Sequence, residues 1–516
     1  MTENSLSSVR IRTLHPHINV SALPTLFLLL LLQLSLLVSE THAKSDATGY
    51  FWHITDLHYD FTYNELEIPY SCKAINKTYG KFGDYSCDAP AILIESIIEE
   101  MKTINSHVDF IVWTGDTVLH PRMNERLVLN ESKNLEIIKN CTDILKAHFP
   151  KIPLASSLGN HDLFPDAQCP IATEAPNLYF KKLAEEWLTA DLIETFSKNG
   201  YYFMATKDPD LYIVNLNTLL YYNRNKLIKP NQNPDPNGQF TWLQNVLEKV
   251  RKQKKKVKNK QQIQAKEKPR PFSSFQYTFC FLLEPLTAYN IRRLVVIVDN
   301  NLSLSTRINN KMPRKGKTKL NTEQKIIILL YDSNVSPNLS TFQYVLLCFS
   351  DLRNNNGVPI FVAPALTPWM YDYNRNPAAR LVRYNVTSKQ LLQITQYYVN
   401  LPKANEKGQV LLEQEYIMPE SYDLDDLSAA SLLKLRNRMQ TDDKLFKQYL
   451  QNMYVNAKTE PKIQFSKELQ TRVLCSIDCY DEHSYEMCIS SGAISYHSLT
   501  YISNFFLLVI YFRELV

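Results

Sequence analysis

Three short polar clusters in this 516-residue sequence contain residue types that could bind metal ions. They are Asp56-x-His58, the pair Gly115-Asp116, and 159-GNHD-162. Aspartate, histidine and asparagine supply the oxygen and nitrogen donors that suit zinc, manganese or iron. A carboxylate such as Asp116 could bridge two cations. Two cations about 4 Å apart can share a hydroxide nucleophile and hold a phosphoryl oxygen.

The residues around these clusters have different candidate roles. Asn160 offers a neutral oxygen ligand. His161 could protonate a leaving oxygen, with Asp162 orienting its ring. His120, four residues after Asp116, is either a supporting residue behind the ligands or a surface histidine. A single Asp-x-His or Gly-Asp at a strand end is more often a turn, so the prediction depends on all three clusters occurring together.

The segments around the clusters predict the elements that position them. Each cluster follows an apolar run, in 50-YFWHITDLH-58, 109-DFIVWTGD-116 and 152-IPLASSLGNHD-162. Between the runs, 91–104 and 133–149 carry apolar residues at helical spacing. Strands that alternate with helices indicate parallel strands joined by crossovers. Ligands of such sheets gather beyond the carboxyl ends of the strands, and all three clusters fall there.

Composition predicts a globular chain of two or three domains, with 45% apolar residues, 21% charged residues and a net charge of +5. Much of the positive charge lies in the lysine-rich run 249–270. Because the charge is confined to this run, nucleic acid is not expected as a partner. The alternative is that the run is a nucleic-acid or heparin-binding patch, but it lacks the interleaved aromatic residues that such patches use. Residues 271–350 contain short apolar runs that are not followed by polar, metal-binding clusters. A polar, mainly helical region is expected from 371 to 470.

The N-terminus has the pattern of a signal peptide. Arg10 and Arg12 precede the apolar run 26–38, and small residues before Lys44 fit a cleavage site. A membrane anchor is the alternative. The apolar tail 491–516 is too short to span, and a lipid anchor is the less favoured explanation for it. We expect a secreted, extracellular protein, or a lysosomal one, with at most peripheral membrane contact.

Export would favour disulfides among the nine cysteines. Cys72 with Cys87, and Cys475 with Cys479, are close enough in sequence to bridge local loops. Candidate glycosylation sites are Asn76, Asn130, Asn140 and Asn385.

The order Asp-x-His, Gly-Asp, Gly-Asn-His-Asp resembles the calcineurin-like metallophosphoesterase superfamily. Further matches resemble its acid sphingomyelinase-like phosphodiesterase branch: 51-FWHITDLHYD-60, 82-FGDYSCDAP-90, 112-VWTGD-116, 158-LGNHD-162, 214-VNLNT-218, 361-FVAPALTP-368 and 416-YIMPESYDLDDL-427. The chain before residue 48 is too short for the saposin-type domain of acid sphingomyelinase. The resemblance is therefore closer to the group without that domain, whose members favour nucleotide and other soluble phosphodiesters.

The resemblance implies a site with two zinc ions. Asp56, His58 and Asp116 would hold the first ion, and Asp116 with Asn160 the second. His161 would be the acid for the leaving group.

The family also requires a His-Val-Pro-type segment and a Gly-His-x-His segment, which supply three more histidines. The sequence has no histidine between His161 and His483, and the family pattern is interrupted at 250–353. Two explanations stay open. The protein could be a relative with little catalysis, or 250–353 could misreport the gene, for example through retained introns.

The predicted fold class is α/β: a metallophosphoesterase β-sandwich flanked by helices, followed by a mainly helical C-terminal domain. The expected boundaries are an N-terminal extension with signal peptide (1–43), the phosphoesterase domain (48–370), the C-terminal domain (371–490) and the tail (491–516). The predicted function is a secreted, zinc-dependent phosphodiesterase acting on nucleotide or sphingomyelin-type phosphodiesters through a metal-activated hydroxide. The alternative is a catalytically impaired secreted glycoprotein that acts by binding. The sequence leaves the oligomeric state open.

Overall fold

The fold is taken from a computed structural model of the chain. It describes residues 47–73, 78–120, 129–208, 211–222, 224–228, 235–257, 294–298, 326–330, 345–349, 357–370, 373–457, 465–478 and 485–490. The predicted signal peptide, the apolar tail, Asn76 and Cys479 lie outside these residues.

The described strands are β1 (Thr48–Ile54), β2 (Phe110–Trp113), β3 (Leu154–Ser156), β4 (Tyr202–Ala205), β5 (Tyr212–Leu216), β6 (Leu294–Val298), β7 (Ile326–Leu330), β8 (Val345–Phe349), β9 (Gly357–Val362), β10 (Trp369–Met370), β11 (Tyr373–Asn374), β12 (Ala378–Asn385), β13 (Leu391–Val399) and β14 (Leu412–Met418). The described α-helices are α1 (Ala91–Ile104), α2 (Glu131–His148), α3 (Leu178–Trp187), α4 (Ala190–Asn199), α5 (Gln239–Val257), α6 (Leu401–Lys407), α7 (Ala429–Thr441), α8 (Asp443–Met453) and α9 (Lys467–Asp478). No described helix is both long enough and apolar enough to cross a lipid bilayer.

The strands form two six-stranded sheets and one small two-stranded sheet. In the first large sheet the order is β14-β13-β12-β1-β2-β3, and β1, β2 and β3 are parallel, as predicted. The second large sheet has the order β4-β5-β6-β7-β9-β8, with β5, β6, β7 and β9 parallel. The chain is thus an α/β protein with mixed sheets flanked by helices and further helices towards its C-terminus, which confirms the predicted fold class.

Side chains alternate between the two faces of β1 and β2, and this alternation explains how the first sheet packs against the second sheet and against the helices. Phe51 and Phe110 point into a core shared with β5 and β9 of the second sheet, where Ile213 and Phe361 are also buried. The alternate residues, including Trp52, point into the core beneath the helices. Both faces of these strands are therefore buried, which is why their sequences are almost continuously apolar.

Helices α1 and α2 cover the outer face of the first sheet. Leu93, Ile94 and Ile97 lie on the buried stripe of α1 at helical spacing. Helix α2 begins at Asn130, whose side chain accepts a hydrogen bond from the backbone N–H of Lys133. The crossovers formed by these helices bring the carboxyl ends of β1, β2 and β3 to one edge.

The region after residue 371 differs from the prediction in its first part. Helices α7, α8 and α9 are present, but 378–418 contributes the strands β12, β13 and β14 to the first sheet. Strand β12 pairs with β1, so that Thr48 lies opposite Asn385. This long-range partner, rather than local propensity, fixes the segment as strand.

The cysteines confirm one predicted bridge and correct the other. Cys72 is bonded to Cys87, as predicted. Cys475 is bonded to Cys488 and not to Cys479. Cys475 lies in the last turn of α9, and its only sulfur atom is bonded to Cys488, so it cannot also pair with Cys479.

Candidate metal centre

The three polar clusters lie side by side at the carboxyl ends of β1, β2 and β3. The backbone N–H of Asp56 donates to the carbonyl of Gly115 at 3.1 Å, and that of His58 to the carbonyl of Asp116 at 3.2 Å. Asp56, His58 and Asp116 all have positive φ, at 49°, 38° and 51°. Few non-glycine residues adopt this conformation, and such strain concentrates at functional sites.

Glycines allow the loops after β2 and β3 to touch. Gly115 has a φ of 91°, and a Cβ on it would lie 2.5 Å from the backbone nitrogen of Gly159. A Cβ on Gly159 would overlap the carboxylate of Asp116. Only backbone without side chains fits at this contact, which brings Asp116 and the 159–162 cluster together.

Asp56, His58 and Asp116 form a buried group of metal donors. One ligand atom from each lies within 4.8 Å of the other two. His58 Nε2 is 3.4 Å from Asp56 Oδ1. The structure thus brings together the three residues predicted to hold the first metal ion.

The hydrogen bonding of His58 exposes one ring nitrogen to this group. Nδ1 lies 2.8 Å from the carbonyl oxygen of Val118, which can only accept, so Nδ1 carries the proton. Nε2 is buried and has no hydrogen-bond partner among the described residues. Burial, followed by the charge of His161, holds the pKa of His58 well below its usual value. A neutral imidazole with a bare Nε2 is the form that binds a metal ion.

A second group of donors shares His58. One ligand atom from each of His58, Asp88 and His120 lies within 4.8 Å of the others. The Asp88 carboxylate accepts from the backbone N–H of His120 at 2.6 Å and lies 3.0 Å from its Nδ1. Burial, followed by the charges of His58 and His161, lowers the pKa of His120. His120 is therefore a buried residue of the site rather than a surface histidine.

Asp162 does not orient His161, contrary to the prediction. Its carboxylate accepts hydrogen bonds from the backbone N–H groups of Thr117 at 2.7 Å, Gly159 at 2.9 Å and Asp116 at 3.1 Å. These bonds join the loops after β2 and β3. Burial, followed by the charge of Asp116, raises the pKa of Asp162 to about 7. The reason is geometric, because the carboxylate lies among loop amides and accepts their hydrogen bonds.

The carboxylate near His161 belongs to Asp166. Its Oδ1 lies 3.7 Å from His161 Nδ1 and accepts a hydrogen bond of 2.9 Å from Asn160 Nδ2. The other ring nitrogen of His161, Nε2, is buried and lacks a hydrogen-bond partner within the described part of the chain. The His161 ring centre is 5.2 Å from that of His58 and 4.4 Å from that of His120. His161 thus lies beside the donor groups.

These donors suit a divalent cation. Two buried carboxylates offer negative charge, and His58 offers a nitrogen lone pair that no other described residue uses. The sequence has no histidine between His161 and His483, so the ends of β6, β7 and β9 bring no imidazole to the site.

Sequence reasoning missed two acids of this site. Asp88 lies in the quoted segment 82–90, but only folding brings it to His120, 32 residues away. Asp166 lies four residues after Asp162, and its ion pair with Arg224 spans 58 residues. The only signals in the sequence were the place of Asp88 in the segment 82–90 and the closeness of Asp166 to one of the predicted metal-binding clusters. Neither position shows which side chain the acid contacts.

Comparisons with known proteins agree with this geometry. Residues 49–279 match the family model of the calcineurin-like phosphoesterases, and residues 355–495 match the C-terminal region of acid sphingomyelin phosphodiesterase. The human cyclic GMP-AMP phosphodiesterase SMPDL3A is 30% identical over 461 residues, covering 87% of this chain and 92% of the relative. Sphingomyelinase phosphodiesterase C of Dictyostelium discoideum is 30% identical over 469 residues, covering 88% and 95%.

The sheets and the acid–histidine cluster at their edge define a calcineurin-like metallophosphoesterase. Within that class, the chain belongs to the acid sphingomyelinase-like phosphodiesterase family. As a member, it falls in the class of phosphoric diester hydrolases and uses a divalent metal.

Proposed function

We propose that the chain hydrolyses small phosphodiesters at a zinc site formed by Asp56, His58 and Asp116, with Asn160 as a further ligand. The observation that carries this proposal is the bare, buried Nε2 of His58, which lies 3.4 Å from Asp56 Oδ1. A buried nitrogen lone pair without a partner is costly unless a ligand uses it.

A divalent cation at this site would supply a Lewis acid for the phosphoryl oxygen and would lower the pKa of water. The protein residues have separate tasks. Asp56 and Asp116 would balance the charge of a bound cation. His161 gives a proton to the leaving oxygen from Nε2, which no described residue engages. His120, held by Asp88, packs against the His58 ring with centres 3.8 Å apart and limits its movement.

The names of relatives support the proposed substrate class. Relatives named as a cyclic GMP-AMP phosphodiesterase and as a sphingomyelinase point to a phosphodiester that carries a nucleotide or a phospholipid head group. Zinc is proposed because it accepts mixed nitrogen and oxygen ligands.

Secretion, and with it glycosylation, is proposed from the N-terminal pattern. The proposal is supported by two disulfides and by the exposure of Asn130 and Asn140. Asn385, which is half-buried, is proposed as a further glycosylation site.

A second candidate is a secreted glycoprotein that binds a phosphoester without hydrolysing it. The absence of histidine from residues 162–482 of the sequence favours it, because fewer ligands reduce metal affinity. Zinc content separates the two candidates. The full chain is equilibrated with Zn²⁺, dialysed and analysed by mass spectrometry. The enzyme is expected to retain one or two ions per chain, and retention of none would favour the binder.

Asp116→Asn and Asp143→Asn serve as matched variants in this measurement. Asp143 is an exposed acid that pairs with Lys139 on α2, away from the clusters. Loss of zinc from Asp116→Asn alone is the expected result. Zinc retained equally by both variants would overturn the proposed site.

A further inference from the structure

Asp166 connects three side chains around the proposed metal centre. Oδ1 accepts from Asn160 Nδ2 at 2.9 Å and lies 3.7 Å from His161 Nδ1. Oδ2 accepts from Arg224 Nη2 at 2.9 Å. One carboxylate therefore contacts a proposed metal ligand, lies near the proposed acid and pairs with a cation from another loop.

The backbone around Asp166 is fixed on both sides. The N–H of Ala167 donates to the carbonyl of Asn160 at 3.0 Å, which closes the loop that carries Asp166. The side chain of Gln168 donates to the carbonyl of Arg224 and accepts from the N–H of Lys226, both at 2.9 Å. These bonds hold the Asp166 loop against the Arg224 loop.

The contact with Asn160 determines which end of its amide faces the metal donors. A carboxylate can only accept, so it selects the NH₂ end of the amide. With the nitrogen held by Asp166, the amide oxygen is the end that points away from Asp166. An amide free to turn would present either end.

We propose that Asp166 is a positioning residue that orients the amide of Asn160 and the ring of His161, and that Arg224 holds its carboxylate in place. This inference rests on the proposed function, since it assigns Asn160 as a metal ligand. Asp166 acts through Asn160 and His161 and does not itself bind the cation.

The first test is a calorimetric titration of the metal-free full chain with Zn²⁺. Asp166→Ala is expected to weaken zinc binding by about 10-fold, because partners that orient metal ligands typically contribute 10- to 100-fold to affinity. Asp166→Asn, whose amide oxygen can still accept from Asn160, is expected to lose less. Arg224→Ala should also lose less than Asp166→Ala. Asp143→Ala is the control and should bind as the wild type does.

The second test does not depend on metal binding. In the metal-free chain labelled with ¹⁵N-asparagine, the side-chain amide signal of Asn160 is assigned by its loss in Asn160→Asp. Its proton signal is expected to move upfield in Asp166→Ala and to stay in Asp143→Ala.

The outcomes separate this inference from the proposed function. If the wild type binds no zinc, the proposed metal site fails, and the amide signal alone decides the role of Asp166. An unmoved Asn160 signal in a folded Asp166→Ala protein would overturn the inference. So would zinc affinity equal to that of the wild type.

Discussion

Removing the carboxylate of Asp162 should destabilise the protein strongly, because this side chain joins two loops. In Asp162→Ala, the backbone N–H groups of Thr117, Gly159 and Asp116 lose bonds of 2.7, 2.9 and 3.1 Å in a fully buried site. Hydrogen bonds to a charged group contribute about 1.5–3 kcal/mol each. Relief of a buried charge offsets part of the loss. We expect the free energy of unfolding to fall by about 3 kcal/mol.

The assay is urea unfolding of the metal-free full chain, followed by tryptophan fluorescence. A pH of 8 keeps Asp162 ionised, since its pKa is raised to about 7. Asp143→Ala removes an exposed ion pair and should cost about 0.5 kcal/mol. A loss below about 1 kcal/mol in Asp162→Ala would refute this role. Loss of turnover without loss of stability would instead favour Asp162 as a partner of His161.

The remaining predictions concern pH, disulfides and loop contact. Burial raises the pKa of Glu415 to about 8 from 4.5, so its contribution to stability is present below pH 4.5 and lost as pH rises through 8. Glu415→Gln should therefore gain stability relative to the wild type, by a few kcal/mol at most, between pH 5 and 9 in thermal melts; a constant difference would contradict this. Peptide mapping should find Cys475 linked to Cys488, and Cys479→Ser should leave that link intact; a 475–479 link would contradict the structure. Gly159→Ala should reduce zinc affinity by at least about 10-fold in calorimetry, because its Cβ displaces the Asp116 carboxylate, and unchanged affinity would count against the contact.

The sequence was sufficient to predict the half of the fold that positions the site. Strands β1, β2 and β3 are apolar on both faces and end in polar clusters. The strands, their parallel arrangement and the position of the site could therefore be predicted from local residues. Helices α1 and α2 could also be predicted, because their buried apolar residues recur at helical spacing in the sequence.

Other features depend on distant partners and could not be predicted. Strand β13 reads 391-LLQITQYYV-399, and its place in the first sheet follows from pairing with β12 and β14. Asp162 lies beside His161 in sequence, yet its carboxylate accepts hydrogen bonds from backbone amides of the loop after β2. The pairing of Asp88 with His120 likewise appears only in the fold.

The most direct test of the proposed function is hydrolysis of bis(p-nitrophenyl) phosphate by the zinc-loaded full chain and by its Asp116→Ala variant. We predict measurable turnover in the wild type and a loss of at least about 100-fold in the variant, because even partners behind metal ligands contribute 10- to 100-fold. Asp143→Ala should retain wild-type turnover. Equal turnover in wild type and Asp116→Ala would contradict a phosphodiesterase site built on Asp56, His58 and Asp116.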